Sequence, residues 1–337
     1  MFLVQRKAQI ISWLRDELKL PEFELQPASS DASFRRYFRV FPMNDGPVSG
    51  DDHTLIVMDA PPDKEDSGPF VNVATLMAGI GLNVPLIKHS NLDQGFLLLS
   101  DLGTNQYLSA LNESNVERLY GDALQALLTL QRKGPKDDEL PPYDHALLMR
   151  EMELFRQWYL KTHLKLDLSG VEERMLSDQF ELLAQEALSQ PKVCVHRDFH
   201  SRNLMLTAAS NPGILDFQDA VIGPVAYDLV SLLRDCYISW PKAQVEAWAL
   251  NYLLRAAEEG VIEERDETRL LRWFDWMGVQ RHLKATGIFA RLNHRDNKPG
   301  YLQDIPRTLS YVVDVAGRYR PLKPLYDFLK QRVAEAG

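Results

Sequence analysis

The sequence predicts an α+β chain in two lobes, the first rich in β-structure with one packing helix and the second mainly helical. Three observations predict it. At 337 residues the chain exceeds the ~250–300 residues at which a single hydrophobic core stops growing. Up to about residue 102, short β-like runs alternate with turn formers. Beyond Gly103 long segments of helical spacing take over, broken only by the strand-like runs VCV, LML and GILDF. The lobes are therefore divided as 1–102 and 103–337.

Taken in order, Ile10, Ile11, Leu14 and Leu18 recur at helical spacing over residues 7–20, and Pro21 marks the stop. The runs SFRRYFRVF (33–41) and TLIVMDA (54–60) flank NDGPVSGDDH, whose Asn, Asp, Gly and Pro form turns, so they read as an antiparallel hairpin with a long connection. PFVNVATLMAGIG (69–81) reads as a helix ending at glycine. VPLIKHS and GFLLLSDLG follow as strands around a turn at Asn91-Leu92-Asp93. Helical segments then cover 107–132, 146–162, 172–190, 226–258 and 264–294, and the polar tract 132–144 reads as a loop.

With 45% hydrophobic and 25% charged residues, the composition is that of an ordinary globular protein. No apolar run approaches the ~20 residues of a membrane span. The N-terminus carries charges every few residues and lacks a small-residue cleavage site, so a cytoplasmic protein is expected. A net charge of −9 disfavours nucleic acid and anionic membranes as partners, and an anionic ligand must meet a local cationic site. Cys194 and Cys236 stand in no metal or disulfide pattern and read as buried thiols.

Chemistry concentrates in VCVHRDFHSRNLML (193–206), a polar loop between two apolar runs. His196-Arg197-Asp198-Phe199-His200-Ser201-Arg202-Asn203 has the spacing H-x-D-x-x-x-x-N of a phosphoryl-transfer loop. Thirteen residues beyond Asn203, Asp216 ends the apolar run GILDF. Phosphoryl transfer needs a carboxylate to orient and deprotonate a hydroxyl, and hard oxygen donors to hold Mg²⁺ on the ATP phosphates. Asp198 fits the first role and Asn203 with Asp216 the second. A two-His, one-carboxylate metal site from His196, His200 and Asp198 competes, but leaves Asn203 and Asp216 unexplained.

HRDFHSRN, ILDFQDA and GPVAYDL together resemble the aminoglycoside phosphotransferase/choline kinase family, small-molecule relatives of protein kinases. The resemblance implies a bilobal protein-kinase-like fold with ATP and Mg²⁺ bound between the lobes. It implies that Asp228 braces the catalytic loop and that His196 supports the loop's shape. As a plain helix residue Asp228 would be an N-cap. LLLSDLG (97–103) resembles the family's adenine-binding hinge, with Ser100, Asp101 and Leu102 as candidates.

The N-terminal lobe departs from the family pattern. SSDASFRRYFRV, in place of the phosphate-covering loop, contains no glycine, so Ser29, Ser30 and Ser33 or backbone N–H groups are the phosphate candidates. Met58 stands where the family has a strand Lys, and the next helix lacks its partner Glu. Losing both is coherent, since losing one would strand a charge. Another cation is expected to replace the Lys: Arg36 first, with Arg35, Lys64 and Lys88 behind it.

SSDASFRRYF, TLIVMDAPP and LLLSDLGTNQYL are similar to the bacterial anomeric sugar kinases of cell-wall recycling, which phosphorylate the C1 hydroxyl of N-acetylmuramate and N-acetylglucosamine. That resemblance implies a small-molecule amino sugar as acceptor. An aminoglycoside, choline or homoserine kinase and an inactive kinase-like binding module are the alternatives. A lactyl carboxylate on the sugar asks for a cation. Arg281, Lys284 and Arg291 share one helical face that could meet it, the other reading being a solvated basic stripe. Tyr237 and Trp240 could stack on a sugar ring or pack in the core.

Overall fold

The computed structural model describes residues 2–30, 34–43, 54–136 and 139–333, with backbone alone for 2–4 and 29–30. The chain forms two compact units: 1–105 with 205–219, and 106–204 with 220–337.

In the first unit, α1 (Phe2–Ser12) continues into a π-helical turn, Trp13–Glu17. There follow β1 (Phe23–Ser30), β2 (Arg36–Pro42), β3 (Leu55–Asp59), α2 (Gly68–Gly79), β4 (Ile87–Asn91) and β5 (Phe96–Ser100). The five strands form one antiparallel sheet in the order β1-β2-β3-β5-β4. The expected hairpin is β2–β3, with Arg36 opposite Asp59 and Val40 opposite Leu55. β1 was not read from the sequence, because Glu24, Gln26 and Pro27 break the apolar run that marks a strand.

All five residues of β5 are buried, as expected of a central strand covered on both faces. Trp13 and Phe96 meet at 5.6 Å between ring centroids, within a core that includes Ile10, Leu14, Leu25, Val40, Val57 and Leu98. The segment 205–219 joins this unit: Leu206 N–H donates to Asn105 O at 2.7 Å and Ile214 N–H to Asn83 O at 2.7 Å. Gly213 packs closely there: a Cβ would lie 2.9 Å from Leu102 Cδ1 and 3.2 Å from Met205 Cβ.

The second unit contains α3 (Tyr107–Ala110), α4 (Val116–Lys133), α5 (His145–Leu154) with a π-helical continuation Phe155–His163, and α6 (Gly170–Leu188). The short strands are β6 (Lys192–Val195), β7 (Leu204–Met205) leading into the first unit, β8 (Gly213–Ile214) within it, and β9 (Val221–Pro224). β6 pairs with β9 and β7 with β8. The remaining helices are α7 (Ala226–Leu233), α8 (Lys242–Glu258), α9 (Glu267–His294), α10 (Ile305–Arg318) and α11 (Lys323–Phe328).

Two expected helices are each divided. The stretch 107–132 breaks at 111–115, where Asn112 and Asn115 side chains bond backbone groups instead of the helix continuing. The stretch 226–258 breaks after Leu233, and Pro241 caps the start of α8 at Lys242. α9 is the axis of this unit and packs against α5, α6, α7, α8 and α10. Its Gly287 lets it cross the α5 backbone, where a Cβ would meet Leu154 C at 2.3 Å. Among the described residues no helix is long and apolar enough to cross a membrane. Cys194 and Cys236 are both buried and free.

Candidate active site

The loop between β6 and β7 is shaped by its own hydrogen bonds. His200 N–H donates to Asp198 O at 3.0 Å, Asn203 N–H to His200 O at 2.9 Å, and Asn203 Nδ2 to Asp198 O at 3.0 Å. Arg197 adopts φ +77°, a left-handed conformation sparsely populated by residues other than glycine. Two carboxylates from α7 and the residues after it hold the loop from below. Asp228 accepts the N–H groups of His196 at 2.6 Å and Arg197 at 2.9 Å, and Asp235 accepts those of Ser201 and Tyr237 at 2.9 and 2.8 Å.

His196 is fully buried, accepts the Asp198 N–H on Nδ1 at 3.2 Å and packs edge-on to Phe199. Among the described residues no three His, Cys, Asp or Glu side chains are grouped to hold a metal ion. Burial pushes the Asp228 carboxyl up to about 7, despite the two N–H donors that favour its charged form.

Asp198 lies partly exposed at the head of this arrangement. Burial would raise its pKa, but Lys284, then His200, Arg281 and Arg197, outweigh that and hold its carboxyl below the ordinary value. His200 lies 4.0 Å away through Nε2, and burial is the leading cause that lowers its own pKa. Such a carboxylate is ionised at neutral pH and able to accept a hydrogen bond from a hydroxyl.

The basic face of α9 is not a solvated stripe. Lys284 is buried, donates to the Tyr227 hydroxyl at 2.9 Å and lies 3.1 Å from Glu151, which also pairs with Arg197 at 2.6 Å and with the Tyr143 hydroxyl. Arg281 is buried, and among the described residues its side chain has only Cys236 Sγ, at 3.8 Å, as a hydrogen-bond partner. Arg291 is half-buried, and burial lowers its pKa. Arg281 and Lys284 thus contribute to the field on Asp198, whereas Arg291 is not among the main contributors.

Tyr237 contacts the loop: its ring meets His200 edge-on at 5.4 Å and carries the Arg202 guanidinium 3.7 Å from its centroid. Trp240 points elsewhere, donating to the Tyr120 hydroxyl at 2.9 Å and packing edge-on to Tyr120 and Trp248.

In the first unit, Asp216 has φ +64° and accepts from Gln218 Nε2 at 2.8 Å. The Asp216 carboxylate in the first unit and the Asn203 amide oxygen in the second are each hard donors of the kind Mg²⁺ prefers. Arg36 is held by Asp59, whose other oxygen pairs with Arg6. Arg35 is buried, pairs with Glu65 at 2.6 Å, and senses the negative fields of Tyr37, Glu65 and Asp216. Met58 is fully buried.

At the expected hinge, Ser100 N–H donates to Leu86 O at 2.9 Å while its Oγ accepts from Leu86 N–H at 2.8 Å. The Asp101 carboxylate is engaged by Arg39, Thr54 and Gly103 N–H. Leu102 packs on Gly213. Ser30 ends β1 opposite Arg36, and Ser33 lies outside the described residues.

Sequence reasoning missed Asp235, Glu151 and the Arg35–Glu65 pair. Only Arg35 carried a signal, as one of two adjacent arginines at the head of the first hairpin. The others act through residues distant in the chain and no motif spacing marks them.

Residues 24–276 match the family model described as the phosphotransferase enzyme family, APH. An N-acetylmuramate/N-acetylglucosamine kinase of Pseudomonas putida is 45% identical over 341 residues, covering 98% of this chain and 98% of its own length. The kinase of the same name from Pseudomonas aeruginosa is 48% identical, covering 92% of this chain and 89% of its own. That of Neisseria meningitidis is 40% identical, covering 98% and 97%.

Among solved structures, an ADP-bound aminoglycoside phosphotransferase matches with TM-score 0.60 at 14% identity, covering 91% of this chain and 98% of its own. A choline kinase from Cryptosporidium parvum matches with TM-score 0.63 at 10% identity, covering 96% and 100%. The fold is therefore the α+β protein-kinase-like fold that the sequence predicts. From a family match across three quarters of its length and relatives nearly half identical from end to end, the chain belongs to the phosphotransferase enzyme family.

Proposed function

We propose that the protein is an ATP-dependent amino-sugar kinase that phosphorylates the anomeric C1 hydroxyl of N-acetylmuramate and N-acetylglucosamine, giving sugar 1-phosphates and ADP. One observation carries the phosphotransfer chemistry: Asp198 is held ionised, on a loop braced from two sides by Asp228 and Asp235. The acceptor rests on the full-length likeness to kinases of that name.

In this reading Asp198 accepts a hydrogen bond from the C1 hydroxyl and aims its oxygen at the γ-phosphorus. The new O–P bond forms as the bond from γ-phosphorus to the bridging oxygen breaks. The hydroxyl proton passes to Asp198 and ADP carries away the bonding pair. Because Asp198 has a lowered pKa it is a weak base, and its contribution is orientation plus late proton acceptance, as suits a loose phosphoryl-transfer transition state. Asn203 and Asp216 would hold Mg²⁺, which when bound neutralises charge on the phosphate oxygens. Arg35, which pairs with Glu65 and feels the field of Asp216, is the cation assigned to the ATP phosphates, with Arg36, paired with Asp59, as the alternative. The place of such an enzyme is the cytoplasm, in peptidoglycan recycling.

The test is ADP release with Mg·ATP and a panel of amino sugars, aminoglycosides, choline and homoserine, followed by phosphorus NMR of the product. Phosphate coupled to the anomeric proton is expected. Phosphate at another hydroxyl, or turnover confined to a non-sugar acceptor, contradicts the assignment.

A further inference from the structure

Arg202 lies in the same loop as Asp198, four residues on, and its guanidinium is fixed without being spent. Its Cζ lies over the Tyr237 ring, 3.7 Å from the centroid, with the Tyr301 centroid at 5.4 Å. The guanidinium makes no hydrogen bond among the described residues, and its ion-pair partner there is Asp304, 4.0 Å away. Arg307 also addresses Asp304 at 3.5 Å, so two cations share a single carboxylate. The other acid nearby, Asp235, is committed to the N–H groups of Ser201 and Tyr237. The side chain of Arg202 keeps about a third of its surface exposed.

Tyr237 is the shared wall between this cation and the reacting carboxylate. Its ring carries Arg202 and also meets His200, whose Nε2 is 4.0 Å from Asp198 Oδ1. Tyr237 and His200 thus form one wall running from Asp198 to this guanidinium, and an acceptor whose hydroxyl meets Asp198 and whose substituent extends along that wall reaches its unused donors. A planar guanidinium binds a carboxylate through two parallel hydrogen bonds, and stacking on aromatic rings lowers the entropy lost on binding.

We propose that Arg202 reads an acidic substituent on the acceptor sugar, a carboxylate of the kind N-acetylmuramate carries and N-acetylglucosamine lacks. This deepens the proposed function and rests on it. Arg202, rather than the α9 face of Arg281, Lys284 and Arg291, is the carboxylate-binding cation.

The experiment compares kcat/KM of the wild-type protein and Arg202→Gln on N-acetylmuramate, on its neutral carboxamide and on N-acetylglucosamine. The wild type is expected to favour the acid over the amide by about tenfold or more, the worth of a charge-assisted pair. In Arg202→Gln that preference falls to near unity. A ratio within one preparation is unaffected by partial loss of folded enzyme, and the wild-type comparison needs no variant.

Equal use of acid and amide by the wild type overturns the proposal while leaving the amino-sugar reading intact. So does a preference that survives Arg202→Gln, or a variant whose main defect is a raised KM for ATP. A wild type that phosphorylates none of the three sugars overturns the proposal together with the reading beneath it.

Discussion

Asp228 Oδ1 accepts the backbone N–H of Arg197 at 2.9 Å, fixing from α7 a loop residue that sits at φ +77° immediately before Asp198. With the His196 N–H on its other oxygen, this carboxylate replaces the two bonds that an irregular, buried backbone would otherwise leave unmade. Asp228→Ala strands two N–H groups at a cost of about 1–3 kcal/mol each. The variant is expected to unfold at lower urea and to lose about 10–100-fold in kcat with little change in the KM for ATP. A fall in stability without a fall in kcat would show that the brace does not serve Asp198.

Burial pushes the Asp228 carboxyl up to about 7 from an ordinary value of 3.8. A carboxyl with a raised folded pKa binds its proton more tightly folded than unfolded. The stability this linkage contributes is full below pH ~4 and is lost as pH rises through about 7. Urea midpoints from pH 4 to 8 should show a decline in the wild type that Asp228→Asn lacks. A constant difference between the two across that range contradicts the shift.

Lys284 is the leading cation that keeps Asp198 below its ordinary pKa. In the proposed mechanism Asp198 acts ionised, so activity is expected to fail as pH falls through its pKa. Lys284→Met removes that support and should move the acid limb of kcat/KM to higher pH. An acid limb that stays in place while activity simply drops would mark Lys284 as a packing residue.

Arg35 and Arg36 are adjacent on the chain but differ in their partners, Glu65 for the first and Asp59 for the second. Arg35→Ala is expected to raise the KM for ATP about tenfold, the scale of one charge-assisted contact. Arg36→Ala is expected to act mainly on stability, because it leaves Asp59 with Arg6 alone. The reverse pattern would return the phosphate role to Arg36.

The loop 196–203 is legible because its chemistry is local: eight consecutive residues carry the spacing, and the strands beside it announce themselves as apolar runs. β2, β3, α2 and β5 follow from period and turn chemistry in the same way. β1 hides behind Pro27, and the breaks near Asn112 and before Pro241 lie inside stretches whose apolar spacing runs on. The helices after residue 304 went unread. The site residues that were missed depend on long-range packing. Glu151 meets Lys284 across 133 positions, and Asp235 meets Ser201 across 34, distances at which no sequence period survives. Arg281 and Lys284 were visible as charges, but only the packing around α9 shows that they are buried beside Asp198 rather than exposed.

The central claim is that Asp198 accepts the acceptor's proton and aims its oxygen. Single-turnover phosphorylation of N-acetylglucosamine by Asp198→Asn, measured beside the Kd for ATP, tests it most directly. The account predicts a rate lower by about 10²–10⁴-fold with ATP affinity retained. Near-wild-type turnover in that variant would contradict it.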